Sequence, residues 1–528
     1  VKRPNFILIT TDQQRADHLG CYGDRVLRTP HIDAIARRGL VFDNCHVASP
    51  VCMPNRAALM TCRMPSAAGV RMNGTALPLD SLTFVEMLRQ AGWRTALMGK
   101  AHLQNMTDRP AAWSARAAGA AAPQQSRRTL RDGPEYRQES VAQWSQDASH
   151  RPSLPYYGFD AVRLCLEHGD VTGGDYPNWL RQQGADPDHW VGRANALPSD
   201  APAALDAWRT RLPPQWYPST FVVEQALAWI DAHLEQDEAP FFVHCSFPDP
   251  HHPFTPPGRY WDLYHPDEVV LPPSFGPASS QDTPLKQALH EELRQGRRPP
   301  GTSRAIAVTE HEARWALALN YGSLALIDDA VGRLTEHLVH RGLAEDTIVI
   351  FTSDHGDFMG AHGLLNKGPL HYRSLTRVPF LWSDPSTGLT GRDPRLCSSI
   401  DLGTTILGRA GVAPPHGMKG LDLMQRSDAQ APPALARDAV LIEEEGHHPY
   451  PGSPFPLRVR TLVTERWRLS VRADEAWGEL YDLQADPDER VNLWADKALV
   501  EVKAELSLRL VQEMQRQVDD VPLPNRMA

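Results

Sequence analysis

The side chains able to do chemistry fall in short runs spread along the chain. Cys52 is followed at fixed offsets by Pro54 and Arg56, then by Ala57-Ala58-Leu59-Met60. This reads as a loop entering a helix, with Pro54 in the first turn, where its missing N–H costs nothing. A thiol there lies at a helix N-terminus beside a fixed cation, a place that favours an anion and suits a nucleophile; the alternative is an ordinary buried thiol. Asp354-His355 is a carboxylate and an imidazole of metal-ligand type. Asp12, followed by Gln13, is placed to be another ligand, or else a turn cap. Lys100 and His102 stand two apart and can reach one site, though either alone could be a solvated loop charge. His251 and His252 sit in a stiff, proline-flanked loop that suits proton transfer near neutral pH. Asn366-Lys367 lies on a further loop, and Asn73-Gly74-Thr75 reads as a turn.

These runs need elements to hold them. Residues 5–10 are continuously apolar, the mark of a strand buried on both faces. Further strands are expected at 40–47, 93–98, 240–247, 347–351 and 378–382. Helices are expected at 30–38, 81–90 (Leu82, Val85 and Leu88 inward), 220–234, 315–341 and 399–407. Nearly every candidate run then follows a strand, and in a doubly wound sheet such ends converge on one edge. Beyond a boundary at residues 425/426, short strands at 441–445, 458–464, 467–471 and 479–481 precede a closing helix at 499–518. The expected division is a catalytic α/β domain, 1–425, and an antiparallel-sheet subdomain, 426–528. Residues 107–155 and 274–304 read as polar insertions outside the core. Tyr176 and Trp179 could line a pocket, although core packing is the commoner fate of such aromatics.

Composition narrows the class. The chain has 528 residues, 41% hydrophobic and 22% charged, with a formal charge of -10. That balance gives nucleic acid no electrostatic support, so an anionic substrate must be held by local cations. Seven scattered cysteines without C-x-x-C pairs argue against a disulfide framework or a structural zinc cluster. No apolar stretch approaches the roughly 20 residues that span a bilayer. With no secretory signal ahead of the first strand, a cytoplasmic location is expected.

The run Ser49-Pro50-Val51-Cys52-Met53-Pro54-Asn55-Arg56, with Leu59, Met60, Thr61 and Arg63, resembles the sulfatase modification signature, in which the cysteine is oxidised to formylglycine. Asn55 departs from the small residue usual before the arginine, and Cys62 stands where glycine is usual. The order of the other runs, with Gly478-Glu479-Leu480-Tyr481-Asp482-Leu483, Asp486-Pro487-Asp488-Glu489 and Asn492-Leu493, is similar to sulfatases of the alkaline phosphatase superfamily along nearly the whole chain. The Asp-Gln and Asp-His pairs resemble the choline-sulfatase and phosphonate monoester hydrolase branch.

The resemblance implies an alkaline phosphatase-like α/β fold, a large mostly parallel sheet flanked by helices with a smaller α+β C-terminal domain. It implies one divalent metal, Mn²⁺ or Ca²⁺ ahead of Mg²⁺, on Asp12, modified Cys52, Asp354 and His355. Catalytic roles would fall to Cys52, Arg56, Lys100, His102, His251 and Lys367, and substrate contacts to Gln13, Asn73, Lys100, His251 and Lys367. His102 is expected near its ordinary pKa of about 6.5. The implied reaction hydrolyses a small sulfate monoester to alcohol and sulfate, after transient contact with a formylglycine-generating enzyme and with no nucleic-acid or membrane partner. Alternatives are phosphonate monoester or phosphodiester hydrolysis, or an anion-binding protein without catalysis.

Overall fold

The computed structural model describes residues 3–109, 131–147, 149–299, 301–425, 437–453, 456–524 and 526. The strands in chain order are β1 (Asn5–Thr11), β2 (Leu40–His46), β3 (Arg94–Gly99), β4 (Ala161–Leu166), β5 (Gly173–Gly174), β6 (Phe241–Ser246), β7 (Ile306–Ala307), β8 (Thr347–Ser353), β9 (Leu364–Leu365), β10 (Phe380–Ser383), β11 (Gly391–Ser398), β12 (Ala439–Glu445), β13 (Arg458–Thr464), β14 (Trp467–Arg472) and β15 (Glu479–Asp482). Nine of them form one sheet in the order β11-β2-β10-β8-β1-β6-β3-β4-β5. Only β10 and β5 run against their neighbours, so the sheet is mostly parallel, as expected.

The apolar runs account for the middle of this sheet. β1, β6 and β8 are buried at every position, because helices cover both faces and leave no face for polar residues. Alternate side chains enter two cores: Ile7 and Ile9 join one, Phe6 and Leu8 the other. Each such side chain contributes about 1.5–3 kcal/mol by leaving water. The registers then fix the working edge. Thr10 pairs with Ser246, Thr11 with Ser353 and Gly99 with Ser246. Asp12, Asp354, Lys100 and the loop after Ser246 therefore leave the sheet side by side. Gly99 permits this closeness: at φ 112° a Cβ there would strike the Ser246 carbonyl, which accepts the Lys100 N–H at 2.8 Å.

Some elements differ from the sequence reading. β4 and β11 were not expected; the exposed Arg163 breaks the apolar run of the first, and the second opens with five residues that are not buried. The helix expected from 81 begins at Phe84 with Thr83 as its cap, which leaves Leu82 outside and 42% exposed. The helix expected from 315 spans Glu310–His340, because Thr309 and Glu312 form a reciprocal capping box. Tyr176 and Trp179 pack on Phe221 in the core.

The two supposed insertions also need correction. Within 131–155, Glu139 is fully buried and Trp144 nearly so; a stretch lacking periodicity thus contributes to the core through a carboxylate that binds backbone. Within 274–304, the helix Pro284–Arg294 buries Leu285 and Leu289 in a cluster shared with Val440, Ile442 and Val459.

β12–β15 form a separate antiparallel sheet. Alternation along β12 sends Val440 and Ile442 toward the large domain's loops, and Ala439 and Leu441 toward Ala48, Ala58 and the closing helix Val500–Arg516 through Leu506 and Leu510. Residues 426–436, beside the expected boundary, lie outside the described residues. Among the described residues no helix is long and apolar enough to cross a membrane.

Candidate functional site

Cys52 begins the helix Cys52–Thr61, every residue of which is buried. Its Sγ lies 3.1 Å from His355 Nε2, 3.3 Å from Lys367 Nζ and 3.9 Å from Asp12 Oδ1. Burial would push this thiol up, but Lys367, His355 and Lys100 together outweigh burial and Asp12 and hold it below its ordinary value. The neighbourhood therefore favours negative charge on this atom.

The unusual Asn55 has a physical reason. Its Oδ1 accepts from the Ala48 N–H at 2.9 Å and from Ser399 Oγ at 2.7 Å, and its Nδ2 donates to the Asp354 carbonyl at 2.5 Å. One side chain thus ties the helix to the loops on both sides. Cys62 caps the helix at φ 53°, the left-handed region that explains why glycine suits this position.

The ligand atoms of Asp12, Cys52, Asp354 and His355 all lie within 4.8 Å of one another. His355 Nδ1 faces the Gly356 carbonyl at 2.8 Å, which assigns its proton there and leaves the Nε2 lone pair toward the cluster. Arg56 ties Asp354 to the neighbouring strand ends: Nε donates to Asp354 at 2.8 Å, Nη1 to the Lys100 carbonyl and to Ser246 Oγ, both at 2.9 Å. Its Nη2 is buried without a hydrogen bond, 3.5 Å from Asp12. Burial would raise the Asp12 carboxyl, yet the Lys100 ammonium, with the Arg56 guanidinium behind it, holds it well below the usual carboxylate range. Two carboxylates, an imidazole lone pair and the side chain of residue 52 make a set that fits one divalent cation.

The remaining expected residues surround this cluster. Lys367 Nζ also donates to Gln13 Oε1 at 2.6 Å and to His251 Nε2 at 2.9 Å. Gln13 uses the other end of its amide on Asp357 at 2.5 Å and lies within 3.3 Å of His252 Nδ1. Asp357 in turn accepts the Asn366 N–H at 3.0 Å, so it positions the Lys367 loop. Lys100, fully buried, donates to Asp12 Oδ2 and His168 Nε2. Asn73 Oδ1 accepts the Met53 N–H at 3.1 Å; its visible work is at the start of the nucleophile's helix.

His102 is buried with its Nδ1 unpartnered. Burial first, then Lys100 and Arg56, depress it well below its ordinary value, which corrects the expectation of a value near 6.5. His251 is likewise depressed, by burial and by His168 and Lys367. Its Nε2 faces the Lys367 ammonium at 2.9 Å.

Two participants escaped the sequence reading. Glu139 accepts the N–H groups of His102, Leu103 and Gln104 at 2.7, 2.9 and 2.9 Å, holding the turn that carries Lys100 and His102. His168 bonds Lys100 at 2.6 Å and stacks on His251 with ring centroids 3.6 Å apart. The available signal for His168 was a short apolar run, 161–166, followed by Glu-His-Gly-Asp; nothing in composition marked Glu139.

Comparison with known proteins identifies the family. The sulfatase family profile matches residues 4–412, and the profile of the N-sulphoglucosamine sulphohydrolase C-terminal region matches 360–517. An uncharacterized sulfatase, YidJ, of Escherichia coli K12 is 26% identical over 530 residues, spanning 98% of this chain and 88% of that protein. A choline-sulfatase of Rhizobium meliloti is 24% identical over 498 residues, spanning 93% and 82%. The crystal structure of a phosphonate monoester hydrolase of Agrobacterium radiobacter superposes with a TM-score of 0.75 at 24% identity, covering 98% of this chain and 97% of that one. With the family profile covering most of its length, the chain belongs to the sulfatase family, the sulfuric ester hydrolases of the alkaline phosphatase superfamily.

Proposed function

We propose that the chain hydrolyses sulfate monoesters with formylglycine made from Cys52 and one divalent cation held by residue 52, Asp12, Asp354 and His355. The observation that carries this reading is Cys52 Sγ lying between Lys367 Nζ at 3.3 Å and His355 Nε2 at 3.1 Å. Sγ stands in for a hydroxyl oxygen of hydrated formylglycine, which would offer two hydroxyls on one carbon. When bound, the cation supplies Lewis-acid charge at this oxygen and at the sulfuryl group.

The chain's own residues do the rest. A sulfate ester repels a nucleophile through its oxygens, so cations must gather around them; Lys100 and Lys367 provide two. One hydroxyl, having lost its proton to solvent beside the Lys367 ammonium, attacks sulfur; the S–O bond to the alcohol breaks, and Lys367, beside His251, gives the departing oxygen a proton. His102, with a free buried ring nitrogen, is the base for the second hydroxyl. Its deprotonation expels sulfate by breaking the C–O bond and restores the aldehyde. A formylglycine-generating enzyme is the transient partner that maturation requires.

The second reading, phosphonate monoester hydrolysis, has the superposition with the Agrobacterium radiobacter enzyme in its favour. Lys100 and His102 favour sulfate over it, since in the phosphonate-hydrolase branch the matching positions usually carry uncharged hydroxyl residues. Matured, metal-loaded protein assayed on 4-nitrophenyl sulfate and on a 4-nitrophenyl phosphonate separates the two. Faster turnover of the sulfate is expected; preference for the phosphonate would overturn the sulfatase reading.

A further inference from the structure

We propose that His168 is a positioning residue of the reaction centre, fixing the Lys100 ammonium so that one of its N–H bonds is kept for the sulfuryl oxygens; this rests on the sulfatase reading above. An ammonium has three N–H donors. Among the described residues Lys100 Nζ has two acceptors, Asp12 Oδ2 and His168 Nε2, and the side chain is fully buried. The third N–H is left for a ligand that enters the site.

Acceptance by His168 Nε2 places the ring proton on Nδ1, which faces Glu167 Oε2 at 3.8 Å. The same relationship recurs across the stack, where Lys367 donates to His251 Nε2 at 2.9 Å. The two imidazoles lie 3.6 Å apart and 10° from parallel. Two lysine-to-imidazole pairs thus stand face to face. One ammonium touches Cys52; the other binds the carboxylate whose second oxygen faces Cys52 at 3.9 Å.

The loop is built to hold this position. Glu167 and Gly169 flank the histidine at φ 66° and 57°, and a Cβ on Gly169 would press on the Pro253 carbonyl and Thr255 Oγ1. Asp170 anchors the next position, accepting from Thr210 Oγ1 at 2.7 Å and Trp208 Nε1 at 3.1 Å, while its N–H reaches Thr255 Oγ1 at 3.1 Å. Without His168, Lys100 would turn wholly onto Asp12 and away from the sulfuryl group. Lys100 and Asp12 bind the substrate and the cation; His168 acts through Lys100.

The test compares wild type with His168→Asn, whose carboxamide oxygen can still accept from Lys100, and His168→Leu, which fills space only. The readouts are kcat/KM on 4-nitrophenyl sulfate, affinity for inorganic sulfate by calorimetry, metal stoichiometry and melting temperature. His168→Leu should lose on the order of 10- to 100-fold in kcat/KM and bind sulfate more weakly, with metal content unchanged; His168→Asn should regain part of both. Unchanged sulfate affinity and rate in His168→Leu, or equal losses in folded Asn and Leu variants, would overturn the inference. If His168→Leu does not fold, His168→Asn decides: sulfate affinity near wild type supports the role, and a folded variant with the full loss refutes it. A wild type inert toward sulfate esters would count against the sulfatase reading alone, because the calorimetry still tests His168.

Discussion

Lys367 Nζ and Cys52 Sγ are 3.3 Å apart, so a buried amine rests on the thiol. Burial alone would discharge this lysine; Cys52, Asp12 and Asp354 outweigh it and raise its pKa. On the proposed reading this lysine would stand beside both the attacking and the departing oxygen.

Lys367→Met keeps the stem and removes the charge. It should lower kcat/KM on the order of 10²–10³-fold. The loss should be larger for an alkyl sulfate than for 4-nitrophenyl sulfate, whose leaving oxygen needs no proton. Steady-state rates on both esters check this; equal losses on the two would remove Lys367 as proton donor.

Acid should unfold the protein early. Burial, as the first cause, lowers His46 and His244 to about 3, and His18 and His168 to about 4. Because the folded values are depressed, the unfolded chain binds more protons below about pH 6.5, and stability is lost as pH falls from there toward 4. Four such groups give a slope of up to about 5 kcal/mol per pH unit. Urea titrations on either side of about pH 6 should show a falling midpoint; a constant midpoint would contradict the burial of these rings.

Glu139→Gln leaves three backbone N–H groups with a weaker acceptor. A loss of about 1–3 kcal/mol of stability is expected. Turnover should fall further than the folded fraction, because the Lys100–His102 turn loosens. Denaturation curves set beside kcat, with metal content unchanged, check it; full activity in a destabilised protein would make Glu139 purely structural.

Much of this centre was legible because its parts follow continuous apolar strands. Burial on both faces forbids polar alternation, so β1, β6 and β8 announce themselves, and the residues after them, Asp12, His251 and Asp354, follow at once. Lys100 and Cys52 were found the same way. What stayed hidden depends on single long-range bonds. Glu139 is one carboxylate in a stretch without periodicity, and its value lies in three backbone donors 35–37 residues away. His168 follows a strand whose apolar run is broken by the exposed Arg163. The depression of His102 comes from burial and from Lys100, which spacing alone does not reveal.

The central claim is that residue 52 acts as formylglycine. Protein produced with graded amounts of a formylglycine-generating enzyme can be scored for aldehyde at residue 52 by peptide mass spectrometry, and each preparation assayed with metal on 4-nitrophenyl sulfate. Activity should rise in proportion to the aldehyde fraction and extrapolate to zero for unconverted Cys52. Full activity in preparations holding only the free thiol would contradict it.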